Sequence, residues 1–202
     1  TNTVTPTVEF WFDFASTYSY PAAMRIDRLA DAAGVSVTWR PFLLGPIFAA
    51  QGWNDSPFNI YATKGRYMWR DLERICAKAN IPLRHPSRFP RNGLLAARVA
   101  NRSVPAPWAP AFCRSVFQAN FAEDREIADP EVVRDCLDRL GLSGTALIAE
   151  AQSDTSKASL RNTVEQAQAL GLFGAPSFVV AGEIFWGNDR LQDALDWATG
   201  TP

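Results

Sequence analysis

Apolar positions follow two different periods along this chain, and the change of period separates predicted strands from predicted helices. The aromatic run from Val8 to Phe12 is typical of a buried strand. After a short polar turn, apolar residues recur at helical spacing until Gly34, and Val35 to Trp39 then alternates as a second strand. This β-α-β opening predicts a parallel strand pair with a right-handed crossover.

The middle of the chain predicts helices. Between Arg40 and Asn59, aromatic residues stand among prolines and glycines, which indicates either a lid that lines a pocket or a helix whose ends the pattern does not define. From Lys64 to Phe173 every strong pattern is helical. A helix start is predicted at Asp129-Pro130-Glu131, where a capping residue is followed by a proline at the first helical position.

Strand patterns return near the end of the chain. Ser177 to Val180 and Ile184 to Trp186 flank a short turn that contains Gly182, so they predict an antiparallel hairpin. A closing helix follows, with Asn188 or Asp189 as its expected cap. The predicted order is β-α-β, a helical block and β-β-α, which is an α/β domain interrupted by a large all-helical insertion.

Composition and charge narrow the classes of function. The 202 residues are 47% hydrophobic and 20% charged, as in a globular protein, and no apolar run is long enough to span a bilayer. Residues Thr1 to Thr7 lack the basic and apolar regions of a secretory signal, although a signal removed earlier remains compatible with the chain. The net charge of −1 and the absence of basic runs interleaved with aromatics argue against nucleic acid as a partner.

The three cysteines, Cys76, Cys113 and Cys136, lie far apart and within helical patterns. This spacing matches neither a disulfide framework nor a metal site, so we expect buried thiols in a reducing compartment and a cytoplasmic protein. A Ser-His-Asp triad would have to use His85, the single histidine, and no G-x-S-x-G motif accompanies it.

Ser16 stands where the first predicted strand gives way to the first helix. The unpaired N–H groups of a helix start favour an anion or a thiolate, and a hydroxyl there can donate to it. The alternative is that Ser16 or Ser19 only caps the helix, as most serines at such positions do. From this stretch alone the cap is the favoured interpretation.

The order of elements resembles thioredoxin-like proteins of the DsbA type, in which a Cys-x-x-Cys opens the first helix and a cis-proline begins the third strand. Ser16 and Ser19 hold the two cysteine positions, and a serine cannot supply the thiolate that disulfide exchange needs, which excludes redox activity at this site. The segment from Phe12 to Tyr20 instead resembles the D-x-x-S-P-Y-S-Y/W motif of 2-hydroxychromene-2-carboxylate isomerases and kappa-class glutathione transferases. Thr17 departs from the proline of that motif.

Three further blocks match this family in the expected order, and the resemblance covers roughly Val8 to Ala198. It implies a thioredoxin-like fold made of residues 1–45 and 172–202, interrupted by a helical insertion domain of residues 46–171, and a homodimer. The blocks are Thr63-Lys64-Gly65-Arg66-Tyr67-Met68 with Asp71-Leu72, Phe173-Gly174-Ala175-Pro176-Ser177, and Trp186-Gly187-Asn188-Asp189-Arg190-Leu191.

The resemblance also implies a glutathione site. Ser16 would hydrogen-bond the sulfur and raise the fraction of thiolate, since a free thiol has a pKa of about 8.5. The peptide before Pro176 would be cis, and the Ala175 backbone would pair with the cysteinyl part of glutathione. Asn188 and Asp189 would meet the γ-glutamyl end, although a cap and a first-turn acid explain both residues without any ligand.

Two further groups of residues follow from the resemblance. Lys64 would face the glycyl carboxylate and Asn54 would contact glutathione, the alternative for Lys64 being a solvated charge at a helix start. A hydrophobic second site would be lined by aromatic side chains and the histidine, for which core packing, or for His85 no role at all, is the simpler explanation. These residues are Phe48, Trp53, Tyr67, Trp69 and His85.

The function that the resemblance implies is glutathione-dependent isomerisation of 2-hydroxychromene-2-carboxylate, or of a similar aromatic hemiketal or 2-oxo acid, to trans-o-hydroxybenzylidenepyruvate. Two alternatives stay open. A kappa-like transferase would conjugate glutathione to electrophiles, and a binding module or chaperone with a thioredoxin fold would use neither glutathione nor redox chemistry.

Overall fold

A computed structural model describes residues 4–200, so the outermost residues of the predicted thioredoxin-like domain, 1–3 and 201–202, lie outside it. Within the described residues, four strands form one sheet in the order β2-β1-β3-β4. β1 pairs with β2 in parallel and β3 pairs antiparallel with β4, as the strand patterns predicted. β1 also pairs with β3 antiparallel, which joins the two predicted pairs into one sheet. The strands are β1 (Thr7–Phe12), β2 (Ser36–Pro41), β3 (Ser177–Val180) and β4 (Glu183–Trp186).

Four of the six residues of β1 are apolar and buried, because both faces of the sheet are covered. On one face Phe10 stacks on Phe178 with ring centroids 5.5 Å apart, inside the larger hydrophobic core. On the other face Trp11 packs with Phe42 and Val164 in a smaller core. The strand that leads into the turn with Ser16 is therefore packed on both faces.

The first helix, α1 (Ser19–Ala33), ends at Gly34 in the left-handed conformation, as predicted. The hairpin turn of Ala181 and Gly182, both with positive φ, also agrees with its prediction. The other helices are α2 (Leu44–Ala50), α3 (Pro57–Ile60), α4 (Ala62–Lys78), α5 (Leu94–Ala100), α6 (Ala109–Phe121), α7 (Pro130–Asp138), α8 (Gly144–Ala151), α9 (Asp154–Leu170) and α10 (Leu191–Ala198).

The segment from Arg40 to Asn59 contains α2 and α3, and is thus less irregular than its prolines indicated. Pro46 lies in the first turn of α2 and Pro57 opens α3. A proline is tolerated there because the N–H groups of a first turn lack helical acceptors. The expected domain boundary between residues 45 and 46 falls inside α2, and not in a linker between elements. The division into two domains stays a prediction.

Three further features bear on the expectations from the sequence. Cys76, Cys113 and Cys136 are all buried with free thiols, and burial raises the pKa of Cys76 to about 11. Asp129 caps α7 by accepting from the N–H of Glu131, as predicted. Among residues 4–200, no helix has the length and apolar character needed to cross a membrane.

Candidate functional site

The turn between β1 and α1 is built on the carboxylate of Asp13. One carboxylate oxygen accepts from the N–H of Ala15 and the other from the N–H of Leu44, both at 2.9 Å. The Asp13 carbonyl accepts from the N–H of Ser16, also at 2.9 Å. Burial raises the pKa of Asp13 and the two N–H donors oppose that rise. This side chain therefore ties the turn to the start of α2.

Ser16 has one hydrogen-bond partner in the helix and one in a distant loop. Its Oγ accepts from the N–H of Ser19, the first residue of α1, at 3.3 Å. The same hydroxyl donates to the carbonyl oxygen of Ala175 at 3.2 Å. The cap position itself is held by Tyr18 without a side-chain bond, so Ser16 pairs with the first helical N–H from within the turn and also faces the backbone that precedes Pro176.

The loop before β3 is held from behind by β4. The Ala175–Pro176 peptide is cis, as predicted. The carbonyl of Pro176 accepts from the N–H of Gly187 at 2.9 Å. A Cβ on Gly174 would overlap the indole of Trp186, so this position requires glycine for close approach. The backbone of Ala175 is thus presented beside Ser16 by contacts on the far side of the loop.

Thr17 stands where the resemblance leads one to expect proline. It is 2% exposed, and its hydroxyl contacts the sulfur of Met68 at 2.9 Å. This side-chain hydrogen bond links the turn to α4, and a proline, which has no hydroxyl, could not make it.

Tyr18 connects the turn to the predicted glycyl end of the site. Its hydroxyl donates to Asp71 at 2.8 Å, and its ring lies 6.1 Å from that of Phe58. The Nζ of Lys64 lies 5.6 Å from the same Phe58 ring. Burial, followed by the bond to Asp71, raises the pKa of Tyr18, so its phenol remains a donor.

The approach of α3 to α4 depends on Gly65. A Cβ at this position would overlap the backbone carbonyl of Phe58. Gly65 follows Lys64 directly in α4, and Phe58 lies in α3. The missing side chain therefore lets Phe58 reach both Tyr18 and Lys64.

Asn188 is bound by an arginine that the sequence patterns did not single out. Arg25, on α1, donates to the side-chain oxygen of Asn188 at 3.0 Å and to its carbonyl oxygen at 3.3 Å. Because the amide oxygen faces Arg25, the amide nitrogen points away from it. Burial lowers the pKa of Arg25. An arginine on an amphipathic helix resembles any solvated charge, so the pattern carried no signal for this contact.

The expected capping role of Asn188 or Asp189 is wrong. Residues Asn188–Arg190 form a 3₁₀ turn, and α10 begins only at Leu191. Neither side chain caps these elements within the part of the chain that the structure describes. Asn188 is 8% exposed and Asp189 is exposed, so the turn presents one buried amide and one surface carboxylate.

The five residues expected at a hydrophobic second site fall into separate groups of contacts. Phe48, in α2, and Trp53 have ring centroids 5.8 Å apart. Trp69, in α4, and His85 have ring centroids 3.9 Å apart. Tyr67 is 61% exposed. These contacts do not by themselves bring the five residues into one pocket. Asn54 lies exposed between α2 and α3.

Two other features of residues 4–200 bear on the chemistry. No group of three or more histidine, cysteine, aspartate or glutamate side chains is arranged to hold a metal. A groove of about 490 Å³ runs along β4 and α10, where Trp186, Arg190 and Trp197 are among its lining residues. Ser16 is not among them, so this groove is distinct from the turn described above.

Comparisons with known proteins find relatives along nearly the whole chain. The profile of the DSBA-like thioredoxin domain matches residues 7–196. A 2-hydroxychromene-2-carboxylate isomerase of Sphingobium xenophagum is 33% identical over 190 residues, which are 94% of this chain and 96% of that protein. The glutathione S-transferase kappa 1 of Homo sapiens is 25% identical, covering 92% of this chain and 88% of its own.

The fold comparison agrees with the sequence comparison. A solved structure of 2-hydroxychromene-2-carboxylate isomerase superposes with a TM-score of 0.84 and 27% identity, covering 96% of this chain and 94% of that one.

Proposed function

Because this chain belongs to the family of DSBA-like thioredoxin domains, and within it to the group of 2-hydroxychromene-2-carboxylate isomerases and kappa-class glutathione transferases, we propose that it is a glutathione-dependent isomerase. Its substrate is 2-hydroxychromene-2-carboxylate, or a similar aromatic hemiketal or 2-oxo acid, and its product is trans-o-hydroxybenzylidenepyruvate or the matching alkene. The observation that carries the proposal is the Ser16 hydroxyl at the start of α1, within hydrogen-bond distance of the Ala175 carbonyl.

The residues around Ser16 fit a tripeptide thiol with charged ends. Lys64 supplies a cation on the α4 side, for the glycyl carboxylate. For the other end of the ligand, the amide nitrogen of Asn188 can donate to the γ-glutamyl carboxylate, and the exposed carboxylate of Asp189 can accept from its ammonium. The backbone of Ala175 can pair with the cysteinyl residue as an added strand would.

Binding at Ala175 would change the role of Ser16. The Ser16 hydroxyl donates to the Ala175 carbonyl. This carbonyl has a second lone pair that can accept from a cysteinyl N–H, and with that donor in place the serine hydroxyl can turn to the neighbouring sulfur. A hydroxyl donor beside unpaired helical N–H groups favours the charged form of the thiol.

Bound glutathione would supply a thiolate for reversible addition to the conjugated carbon of the ring-opened substrate, so that the former double bond can rotate before elimination. The contribution of this chain is to hold the sulfur and to orient both molecules, which are the usual sources of rate enhancement in a site with preorganised donors. The aromatic side chains of Phe48, Trp53 and Tyr67 are the candidates for contact with the substrate ring.

The test is isomerisation of 2-hydroxychromene-2-carboxylate with and without glutathione. We expect turnover only with the thiol, and equal turnover without it would contradict the proposal. A thermal-shift assay adds a binding measurement, since a ligand at a hundred times its Kd stabilises the folded state by about 2.7 kcal/mol. A chaperone or adaptor with this fold would show no such shift.

A second candidate is supported by the similarity to the human kappa-class transferase. It keeps glutathione and replaces isomerisation by conjugation to an electrophile. Fast conjugation of a chlorinated nitroaromatic, with isomerisation near the background rate, would favour it.

The proposal also includes a cytoplasmic homodimer. The family resemblance supports the dimer, and the three buried free thiols support a reducing compartment. Sedimentation equilibrium of the purified chain tests the dimer.

A further inference from the structure

A chain of buried polar side chains runs from the helical block to the turn that carries Ser16, and the proposed chemistry does not use it. Asn120 is 1% exposed and Arg91 is 4% exposed, although both are polar. The side-chain nitrogen of Asn120 donates to the carbonyl oxygen of Phe14 at 3.0 Å. Buried groups of this kind are costly unless they are fully paired, so their partners define what they do.

Arg91 determines which end of the Asn120 amide faces the turn. The guanidinium donates to the side-chain oxygen of Asn120 at 3.3 Å and to its carbonyl oxygen at 3.2 Å. Arg91 in turn donates to Asp124 at 2.6 Å. With its oxygen held by a cation, the amide can present only its nitrogen to Phe14.

The peptide unit between Phe14 and Ala15 is held at both ends. Its carbonyl oxygen accepts from Asn120, and its N–H, that of Ala15, donates to the carboxylate of Asp13 at 2.9 Å. Because a peptide unit is planar, these two contacts fix the orientation of the whole plane. This plane lies one peptide before Ser16.

We propose that Asn120 is a positioning residue that, through the Phe14–Ala15 peptide, keeps the Ser16 hydroxyl in the orientation that binds the glutathione sulfur. This inference rests on the proposed function. Glycine at position 93 allows the same close approach of the helical block, since a Cβ there would lie 2.8 Å from the Cβ of Phe14. The helical block therefore acts on the thiol site through the backbone of the turn.

The test variant is Asn120→Asp. Aspartate keeps an acceptor for Arg91 but cannot donate to Phe14, and it brings a second oxygen against that carbonyl. We expect glutathione to bind about tenfold more weakly and the pKa of the bound thiol, followed by thiolate absorbance, to rise, since one buried hydrogen bond corresponds to about this factor. Amide exchange at Ala15 and Ser16 should become faster in the ligand-free protein.

The matched control is Ser87→Ala. Ser87 contacts Asp124 and Arg91 in the same cluster but does not reach the turn. It should leave the thiol pKa and the exchange at Ala15 and Ser16 unchanged. If Asn120→Asp does not fold, Asn120→Ser removes the reach of the donor without adding charge and gives the same comparison.

A folded Asn120 variant with the wild-type thiol pKa and the wild-type amide exchange at Ala15 and Ser16 would overturn the inference. So would an equal change in Ser87→Ala, because the effect would then follow the stability of the cluster and not the contact with Phe14. If the wild-type chain bound no glutathione, the proposed function would fail, whereas the exchange comparison would still decide whether Asn120 holds the turn.

Discussion

The Oγ of Ser16 lies 3.2 Å from the carbonyl oxygen of Ala175, a residue 159 positions away in the chain. The donor at the start of α1 is thus paired with the backbone acceptor beside the cis-proline. We propose that a ligand that donates to this carbonyl leaves the hydroxyl free to turn to a sulfur. This coupling separates the site from an ordinary helix cap, in which the serine has only local partners.

Ser16→Ala tests that coupling. The variant keeps the fold, because loss of a capping hydroxyl costs about 1 kcal/mol of the free energy of unfolding. We expect kcat to fall by roughly a hundredfold, the size observed when one preorganised donor to a developing charge is removed. Steady-state kinetics at saturating glutathione measure it. Full activity in Ser16→Ala would contradict the role, and Ser143→Ala, at an exposed position, is the control.

Arg25, acting through the Asn188 amide, and Lys64 should affect the binding of opposite ends of glutathione. Arg25→Met removes the cation that orients the Asn188 amide, so we expect weaker binding of γ-glutamylcysteine and unchanged binding of cysteinylglycine. Lys64→Met should do the reverse. Each loss should be about tenfold, as for one charge-assisted hydrogen bond. Calorimetric titration of the two dipeptides measures both variants, and parallel losses for both dipeptides would contradict the assignment.

Asp13→Ala should destabilise the protein as a whole. It leaves the N–H groups of Ala15 and Leu44 without their carboxylate partner in a buried place. Unpaired buried donors cost about 1–3 kcal/mol each, so for two donors we expect a loss of about 2–6 kcal/mol in the free energy of unfolding. Urea denaturation measures it. The exposed Asp31→Ala is the comparison, and a change no larger than in that variant would show that Asp13 does not support the turn.

Asp124 should contribute a stability term that depends on pH. The N–H of Ser87, followed by the side chain of Arg91, lowers the pKa of Asp124 to about 2. Because this folded-state pKa lies below the unfolded value of about 3.9, the stabilisation is complete above the unfolded value and is lost as the pH falls through about 2. The difference in unfolding free energy between wild type and Asp124→Asn should therefore shrink across this range. A difference independent of pH would contradict it.

Gly65→Ala should separate α3 from α4. The added Cβ meets the backbone carbonyl of Phe58, which cannot rotate away as a side chain could. We expect a loss of about 1–3 kcal/mol in unfolding free energy, typical of overpacking, and weaker glutathione binding as Phe58 moves from Lys64. Gly45→Ala, with open space around the new Cβ, should change neither. Equal behaviour of the two variants in urea denaturation would contradict the prediction.

The sequence was sufficient for those parts of the fold that depend on local periodicity. The strand at Val8 to Phe12, the end of α1 at Gly34 and the hairpin around Gly182 each depend on neighbouring residues, and all were predicted. The helices within residues 40–59 were only one of two predicted alternatives, without defined ends, because prolines in a first helical turn resemble prolines in a loop. Local pattern has no means of telling these two cases apart.

Among the residues of the turn and its contacts, the sequence pattern singled out those that stand next to an element boundary. Ser16 and Pro176 do, and both were identified. Arg25 and Asn120 were not, because each is defined by a partner far away in the chain. A charged or amide side chain on a helix gives no sign of such a partner until the helices are packed.

The position of β1 in the middle of the sheet has a consequence for synthesis on the ribosome. Its parallel neighbour β2 emerges soon after it, whereas β3, its neighbour on the other side, is made only after all of the helices from α2 to α9. Ser16 is therefore synthesised long before Ala175, with the whole helical block between them. A chain that stops before β3 contains the serine without the carbonyl that accepts from it. Any quality control that recognises an open strand edge has that interval in which to act on this protein.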